Sequence, residues 1–196
     1  MAAAAVAVVG VALWWRKNPS ACPYGQRFWV QAPHPGITRE RLREILDPAA
    51  GERILEVGPG TGYYTLDLAD WVGHEGAVEI FDLQQEMLDH TIRRAREKGL
   101  WNVNPTRGDA QDLPYDDDSF DAAVLVTVLG EIPDQDAALR EIARVLRPDG
   151  RLIVGELFGD PHMVTMGSLQ SRAESAGLRF GGRVGSRLAY FARLEG

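Results

Sequence analysis

The sequence predicts a doubly wound α/β fold, with a mainly parallel sheet and helices on both faces. Short apolar runs such as residues 53–57 alternate with longer segments in which apolar residues recur at helical spacing, such as residues 87–95. This alternation is typical of parallel sheets covered on both faces. With 196 residues, the chain is long enough to bury a core without disulfide bonds.

Seven strands and five helices are predicted along the chain. The strand candidates lie at 53–57, 77–81, 103–107, 122–126 and 151–154, and two further strands lie near 178–184 and 188–194. The helix candidates lie at 41–46, 64–71 and 87–95, from about 135 to 146, and around 169–176.

Local signals place several of these boundaries. The first helix should end at Asp47, because Pro48 disfavours helical geometry in the residue before it. Gly99 is a suitable C-terminal stop for the helix at 87–95, and Asp134 stands where the N-cap of the next helix belongs. Residues 148–150, Pro-Asp-Gly, predict a turn before the fifth strand.

Three regions divide the chain: a hydrophobic segment at 1–17, a strap or lid with a helix at 18–50, and the α/β domain at 51–196. Residues 2–15 carry no charge, and Arg16 and Lys17 follow. As a helix this run would be about 21 Å long, against about 30 Å for the hydrocarbon core of a bilayer. We expect either a membrane anchor, with the rest of the chain on the cytosolic side, or an alanine-rich helix that only packs or frays.

Composition excludes several classes of function. The formal net charge is −7 and no stripe of Lys and Arg is present, so a nucleic-acid partner is not expected. Cys22 is the only cysteine and the four histidines are scattered, so we expect neither a disulfide nor a metal site. The protein should lie in the cytoplasm or on the cytoplasmic face of a membrane.

A glycine-rich turn follows the first predicted strand, with Gly58, Gly60 and Gly62 at every second position. Glycines at such a turn let the backbone bend sharply and let a ligand approach it closely. A nicotinamide fingerprint, G-x-G-x-x-G, would require its third glycine at position 63, where the chain has Tyr63. The spacing therefore disfavours a nicotinamide enzyme.

Two aspartates follow the next two strands, Asp82 after the second and Asp109 after the third. The carboxyl ends of parallel strands meet at one edge of the sheet, where doubly wound folds bind ligands. There Asp82 could accept hydrogen bonds from ribose hydroxyls, and Asp109 from an exocyclic amino group such as that of adenine. The alternative is that Asp82 only caps a helix and Asp109 only shapes a turn.

Five segments in this order resemble the motifs of class I methyltransferases, in the subgroup that contains quinone, sterol and phospholipid methyltransferases. They are residues 55–65, 81–88, 108–114, 119–123 and 146–152. The resemblance implies a Rossmann-like sheet of seven strands with the last strand antiparallel, and S-adenosyl-L-methionine as the cofactor. The implied cofactor contacts are Glu56, Gly58, Gly60 and Gly62 for the methionine portion, Asp82 and Leu83 for the ribose, Asp109 and Ala110 for the adenine, and Thr127 near the sulfonium.

The segment after the fourth strand departs from that pattern, because many relatives have a histidine or an aromatic pair where this chain has residues 129–134, Leu-Gly-Glu-Ile-Pro-Asp. Glu131 is the first candidate to contact the acceptor or to accept its proton, and a helix cap or salt bridge is the alternative. His162, after the fifth strand, is the second candidate, and an exposed helix-start residue is the alternative.

The segment before the first helix supplies candidate substrate and lid residues. Tyr24, Phe28 and His34 either form a lid over the cofactor or pack as an N-terminal strap. An aromatic edge beside a candidate membrane anchor favours a small lipophilic acceptor, such as a lipid, a quinone or another small molecule, methylated by in-line transfer. A membrane-tethered binding module without catalysis, acting through a partner protein, is the alternative function.

Overall fold

The computed structural model describes residues 19–31 and 34–196. Its first elements are a 3₁₀ turn at Tyr24–Gln26 and a short helix, α1, at Phe28–Gln31. The remaining helices are α2 (Arg39–Leu46), α3 (Thr65–Val72), α4 (Gln85–Glu97), α5 (Gln135–Val145) and α6 (Met166–Ser175). The strands are β1 (Arg53–Val57), β2 (Ala77–Asp82), β3 (Val103–Arg107), β4 (Phe120–Val126), β5 (Leu146–Leu157), β6 (Arg179–Gly185) and β7 (Ala189–Glu195).

The strands form one seven-stranded sheet in the order β3-β2-β1-β4-β5-β7-β6. The first five strands run parallel, and β7 is antiparallel to both β5 and β6. This confirms the predicted doubly wound, mainly parallel sheet. The strand order reverses between β1 and β4, so the loops after these strands diverge and leave a crevice at their carboxyl ends.

Apolar side chains cover both faces of the sheet. On one face α5 and α6 pack through residues such as Leu139 and Leu169, and on the other α2, α3 and α4 pack through residues such as Leu42 and Leu68. The β1 strand is buried from Ile54 to Val57, as expected for a central parallel strand with no face toward water.

Helix starts differ from the sequence prediction because two threonine caps were missed. Thr38 accepts the Arg41 N–H at 3.4 Å, so α2 begins at Arg39, and Thr165 accepts the Ser168 N–H at 3.4 Å, so α6 begins at Met166. The predicted Asp134 cap is confirmed, since its side chain accepts the Ala137 N–H at 2.9 Å. Asp47 ends α2 in the left-handed region, with a φ of 48°.

Residues 148–150, which were predicted to form a turn, lie inside β5, where the regular pairing of β5 with β4 is interrupted. Phe120 pairs with Leu146 and Ala122 with Arg151, so residues 147–150 stand opposite Asp121 alone. The strand therefore begins at Leu146, earlier than the predicted residue 151, and regular pairing resumes at Arg151.

Within the described residues, no helix is long and apolar enough to cross a membrane. The predicted hydrophobic helix at 1–17 lies outside the described residues.

Candidate active site

An open cleft lies at the carboxyl ends of β1, β2, β3 and β4, where the strand order reverses, and encloses about 870 Å³ including its mouth. The lining residues are Ala21, Cys22, Val57, Gly58, Gly60, Phe81, Asp82, Leu83, Gln84, Met87, Gly108, Asp109, Ala110, Gln111, Val126, Thr127, Val128, Glu131, Ile132 and Pro133.

The glycine turn forms the floor of the cleft. Gly58 has a φ of 68°, and a Cβ built on it would lie 2.4 Å from Cγ2 of Val128. Only glycine therefore fits between the β1 and β4 loops. Gly60 also lines the cleft, whereas Gly62 packs against Thr91 of α4, where an added Cβ would lie 3.0 Å from Cγ2 of Thr91.

Asp82 stands at the end of β2 with its carboxyl group partly buried against the cleft. Its Oδ1 accepts the backbone N–H of Gln84 at 2.8 Å. Burial raises the pKa of Asp82 to about 6, although the backbone hydrogen bonds from Gln84 and Leu83 lower it. A carboxylate that is partly stripped of water gains most from new hydrogen-bond donors, such as a pair of hydroxyls.

Asp109 and Ala110 lie at the rim of the cleft after β3. Both Asp109 carboxylate oxygens lie 2.8 Å from the Gln111 side-chain amide, and Oδ1 also accepts the Gln111 backbone N–H at 3.0 Å. Gln111 in turn accepts the Asp134 N–H at 3.0 Å. The exposed Asp109 carboxylate thus shapes the turn, while the turn as a whole lines the cleft.

Glu56 lies below the cleft and does not line it. It is 3% exposed, and its Oε2 accepts the Thr65 hydroxyl at 2.5 Å. Burial raises the pKa of Glu56 to about 7, and this hydrogen bond partly offsets the rise. Glu56 therefore ties β1 to the start of α3 beneath the glycine turn.

Thr127 lines the cleft at the end of β4 in a strained backbone conformation. Its φ is 55°, in the left-handed region that non-glycine residues rarely adopt. Its N–H donates to the Gly155 carbonyl at 2.8 Å, which extends the β4–β5 pairing by one residue and fixes this conformation. Such strained positions are concentrated at functional sites.

Glu131 closes the far wall of the cleft on a 3₁₀ turn, Leu129–Glu131, that follows β4. Burial raises the pKa of Glu131 to about 8, and the negative charges of Asp160 and Asp82 add to this effect. Its Oε2 accepts the backbone N–H of Cys22 at 3.3 Å. Glu131 is therefore a carboxyl group that faces the cleft and whose pKa is raised to about 8.

The N-terminal strap, which we define as residues 21–27, crosses the cleft from Glu131 to α4. The Gln84 side chain donates to the Cys22 carbonyl and accepts the Tyr24 N–H, each at 2.9 Å. Tyr24 also places its hydroxyl 3.2 Å from Nδ1 of His90. The strap is thus fixed at both walls, and Ala21 and Cys22 form part of the cleft lining.

Three residues singled out from the sequence lie away from the cleft lining. Phe28 is 57% exposed on α1. His34 packs edge-on against Tyr63, with ring centroids 5.0 Å apart, and its burial lowers its pKa. His162 is buried, and the carbonyl of its backbone abuts Gly130. Tyr24 does not line the cleft either, and it acts through its backbone bond to Gln84 and its side-chain contact with His90.

Sequence reasoning missed Gln84, Cys22 and His90. Gln84 lies two residues after Asp82, inside a motif already recognised, but its partners are about 60 residues earlier in the chain. His90 lies within the predicted helix at 87–95, where no motif marks it, and the strap supplies its partner, Tyr24.

The cleft is acidic and largely apolar. Among the described lining residues, the charged side chains are Asp82, Asp109 and Glu131, and none is a lysine, arginine or histidine. No group of three potential metal ligands occurs within the described residues.

Comparisons with known proteins agree with this geometry. Residues 54–150 match a family described as a methyltransferase domain. A ubiquinone/menaquinone biosynthesis C-methyltransferase of Idiomarina loihiensis is 35% identical over 135 residues, which cover 67% of this chain and 53% of that protein. A demethylmenaquinone methyltransferase of Lactobacillus johnsonii is 39% identical over 115 residues, which cover 58% of this chain and 47% of that protein.

The chain belongs to the class I methyltransferases. Among solved structures, a SAM-dependent methyltransferase from Aquifex aeolicus superposes with a TM-score of 0.75 at 21% identity, covering 89% of this chain and 98% of that one. The chain spans about half the length of the first curated relatives it matches.

The cofactor of this family is S-adenosyl-L-methionine, and the residues of the cleft fit it. Gly58 and Gly60 expose bare main chain along the floor, and Asp82 presents a partly desolvated carboxylate in the same cleft. The negative charge of Asp82 also favours a cationic sulfonium.

Proposed function

We propose that this protein is an S-adenosyl-L-methionine-dependent methyltransferase that acts on a small, neutral, lipophilic acceptor. The observation that carries the proposal is the open cleft that joins Asp82 to Glu131 under the N-terminal strap. Asp82 can bind a ribose at one wall, and Glu131 can accept a proton at the other.

The cofactor contacts proposed are Gly58 and Gly60 along the floor, Asp82 and Leu83 beside the ribose, Ala110 and the Asp109 turn at the adenine, and Thr127 near the sulfonium. Glu56 and Gly62 support the floor from below. When bound, the cofactor supplies a methyl group that is already activated. The protein residues therefore need only to orient the acceptor, exclude water and remove a proton.

The charge of the cleft restricts the acceptor. An acceptor with a phosphate or carboxylate would meet like charge from Asp82 and from the ionised, base form of Glu131, and none of the described lining residues offers a cation to offset it. Apolar side chains such as Phe81, Val128 and Ile132 instead suit a neutral ring. Among lipophilic acceptors this favours a quinone precursor over a phospholipid.

Two similar proteins are named for quinone biosynthesis, as C-methyltransferase and as demethylmenaquinone methyltransferase. We therefore propose C-methylation of a demethylmenaquinone-type ring in its reduced form, because the oxidised ring is too electron-poor to attack an electrophilic methyl group. The ring carbon gains the methyl group and loses a proton. Glu131, which titrates near pH 8, accepts that proton directly or from a ring hydroxyl.

The test is methyl transfer from radiolabelled S-adenosyl-L-methionine, with purified protein and either a reduced short-chain demethylmenaquinone or a total lipid extract. Label should enter the organic phase, and Asp82→Ala should abolish it, whereas Asp112→Ala, on the same strand-end surface, should not. Label only in the aqueous phase would overturn the lipophilic acceptor. Cofactor binding without any transfer would favour a non-catalytic module.

We further propose that residues 1–17 bring the protein to a membrane, where such acceptors reside. The same assay on washed membranes, with the full chain and with a chain lacking these residues, tests this point. Equal membrane-bound activity in the two proteins would overturn it.

A further inference from the structure

Glu156 is a buried carboxyl group that does not line the cleft. It lies near the end of β5, is 1% exposed, and its Oε2 accepts the Val164 N–H at 3.2 Å. Its Oε1 has no hydrogen-bond partner within the described residues. A buried carboxylate oxygen without a donor is costly, so this environment favours the neutral acid.

The loop that follows β5, residues 158–165, connects Glu156 to Glu131. The Val164 N–H donates to Glu156, and its carbonyl accepts the Tyr190 hydroxyl at 2.6 Å. Two residues earlier, the His162 carbonyl presses on Gly130, where an added Cβ would lie 1.8 Å from that oxygen. Because Gly130 immediately precedes Glu131, the position of this loop sets the position of the 3₁₀ turn that carries Glu131.

Acidic groups surround this contact on several elements. Burial, together with the negative charges of Asp160 on the loop and Glu131 on the turn, raises the pKa of Glu156 to about 9. Tyr190 on β7 and His162 on the loop are the other titratable groups near Glu156. Burial and the negative charges of Glu131 and Asp160 raise the pKa of the Cys22 thiol in the strap. An ionised Glu156 would therefore add a negative charge to a crowded acidic cluster.

We propose that Glu156, as a neutral acid, is a positioning residue that holds the 158–165 loop against Gly130 and so keeps Glu131 aligned for proton transfer. The proposal rests on the proposed function, because Glu131 acts there as the base. The site then has two pH limits. Glu131 must be ionised, which sets the lower limit, and Glu156 must stay neutral, which sets the upper limit.

The test compares the pH profiles of kcat for the wild type, Glu156→Gln, Glu156→Ala and Tyr190→Phe with the reduced demethylmenaquinone. The wild type should give a bell-shaped profile. Glu156→Gln, whose neutral amide can still accept the Val164 N–H, should keep the maximal rate and lose the descending limb. Glu156→Ala should lower kcat about tenfold with an unchanged cofactor KM, because misplacement of a catalytic group slows the reaction without affecting binding.

Tyr190→Phe is the matched control, because it loosens the same loop without removing a carboxyl group. It should keep both limbs of the profile. A descending limb that persists in Glu156→Gln, or one that disappears in Tyr190→Phe, would overturn the proposal.

A second readout needs neither cofactor nor acceptor. The infrared C=O band of protonated carboxyl groups should persist in the free protein above neutral pH, and Glu156→Gln should remove one such group while Glu131→Gln removes another. If the wild type transfers no methyl group at all, this titration still decides whether Glu156 is neutral. If the C=O band of protonated Glu156 is absent at pH 7, the inference is refuted independently of the proposed function.

Discussion

At the scale of single residues, the surroundings of Glu131 set its chemistry more than its residue type does. Glu40 and Glu141 have lowered pKa values, because their main hydrogen-bond partners stabilise the charged form. Glu131 is instead enclosed by apolar neighbours, the strap and other carboxyl groups, so its pKa rises. Environments that separate the pKa values of carboxyl groups in this way are typical of acid–base sites.

Glu131→Gln should lower kcat by roughly a hundredfold or more, which is the usual contribution of a general base. The amide oxygen can still accept the Cys22 N–H, so cofactor affinity should stay close to that of the wild type. In the wild type, kcat/KM should rise with pH up to about 8, as the base form appears.

A pH–rate profile of both proteins checks this prediction, with the exposed Glu86→Gln on α4 as the control. An ascending limb that survives in Glu131→Gln would show that another group is the base.

At the scale of secondary-structure elements, the Gln84 side chain joins the strap to the end of β2. Gln84 makes two hydrogen bonds of 2.9 Å to the strap backbone, and Glu131 makes a third from the opposite wall. Since β2 and β4 both neighbour β1, these walls are about 10 Å apart, and the strap spans the floor between them.

Gln84→Ala should speed the release of the cofactor by about tenfold to a hundredfold, because two hydrogen bonds of about 1 kcal/mol each are lost along with the closure they maintain. Stopped-flow dissociation measures the rate, and amide exchange at residues 21–27 measures the opening of the strap. Gln85→Ala is the matched control, because its side chain bonds only to Asp89 on the exposed face of α4. Equal exchange in the two variants would refute the role of Gln84.

The helices and strands could largely be predicted from the sequence, whereas the contacts between segments far apart in the chain could not. Periodicity and glycines located every strand of the sheet, and the order of motifs placed Gly58, Asp82 and Thr127 at one edge. The residues of the strap could not be placed, because Cys22 and Tyr24 depend on partners about 60 to 110 residues away. His34 shows the same limit, since an aromatic cluster with Tyr63 and Tyr64 holds it away from the cleft.

At the scale of the whole molecule, the buried carboxyl groups make folding depend on pH. The pKa values of Asp82, Glu56, Glu131 and Glu156 are raised to about 6, 7, 8 and 9. Between their unfolded and folded pKa values, the folded protein binds more protons than the unfolded chain. Stability from these groups is therefore complete below the unfolded pKa values and is lost as the pH rises through 6 to 9.

The free energy of unfolding of the cofactor-free protein should accordingly fall as the pH rises from 5.5 to about 9, because one unit of pKa shift corresponds to about 1.4 kcal/mol for each group. Urea unfolding at a series of pH values measures this decline, and Glu156→Gln should flatten its upper part. Stability that stays constant or rises over this range would contradict the prediction.

Three of the hydrogen bonds that secure the strap use its main-chain atoms, the Cys22 N–H and carbonyl and the Tyr24 N–H. Such bonds place little demand on which amino acids occupy these positions. We therefore expect the strap to stay attached across the cleft when its side chains are substituted. Exchange of this segment between related enzymes should then change acceptor selectivity and leave cofactor affinity unchanged.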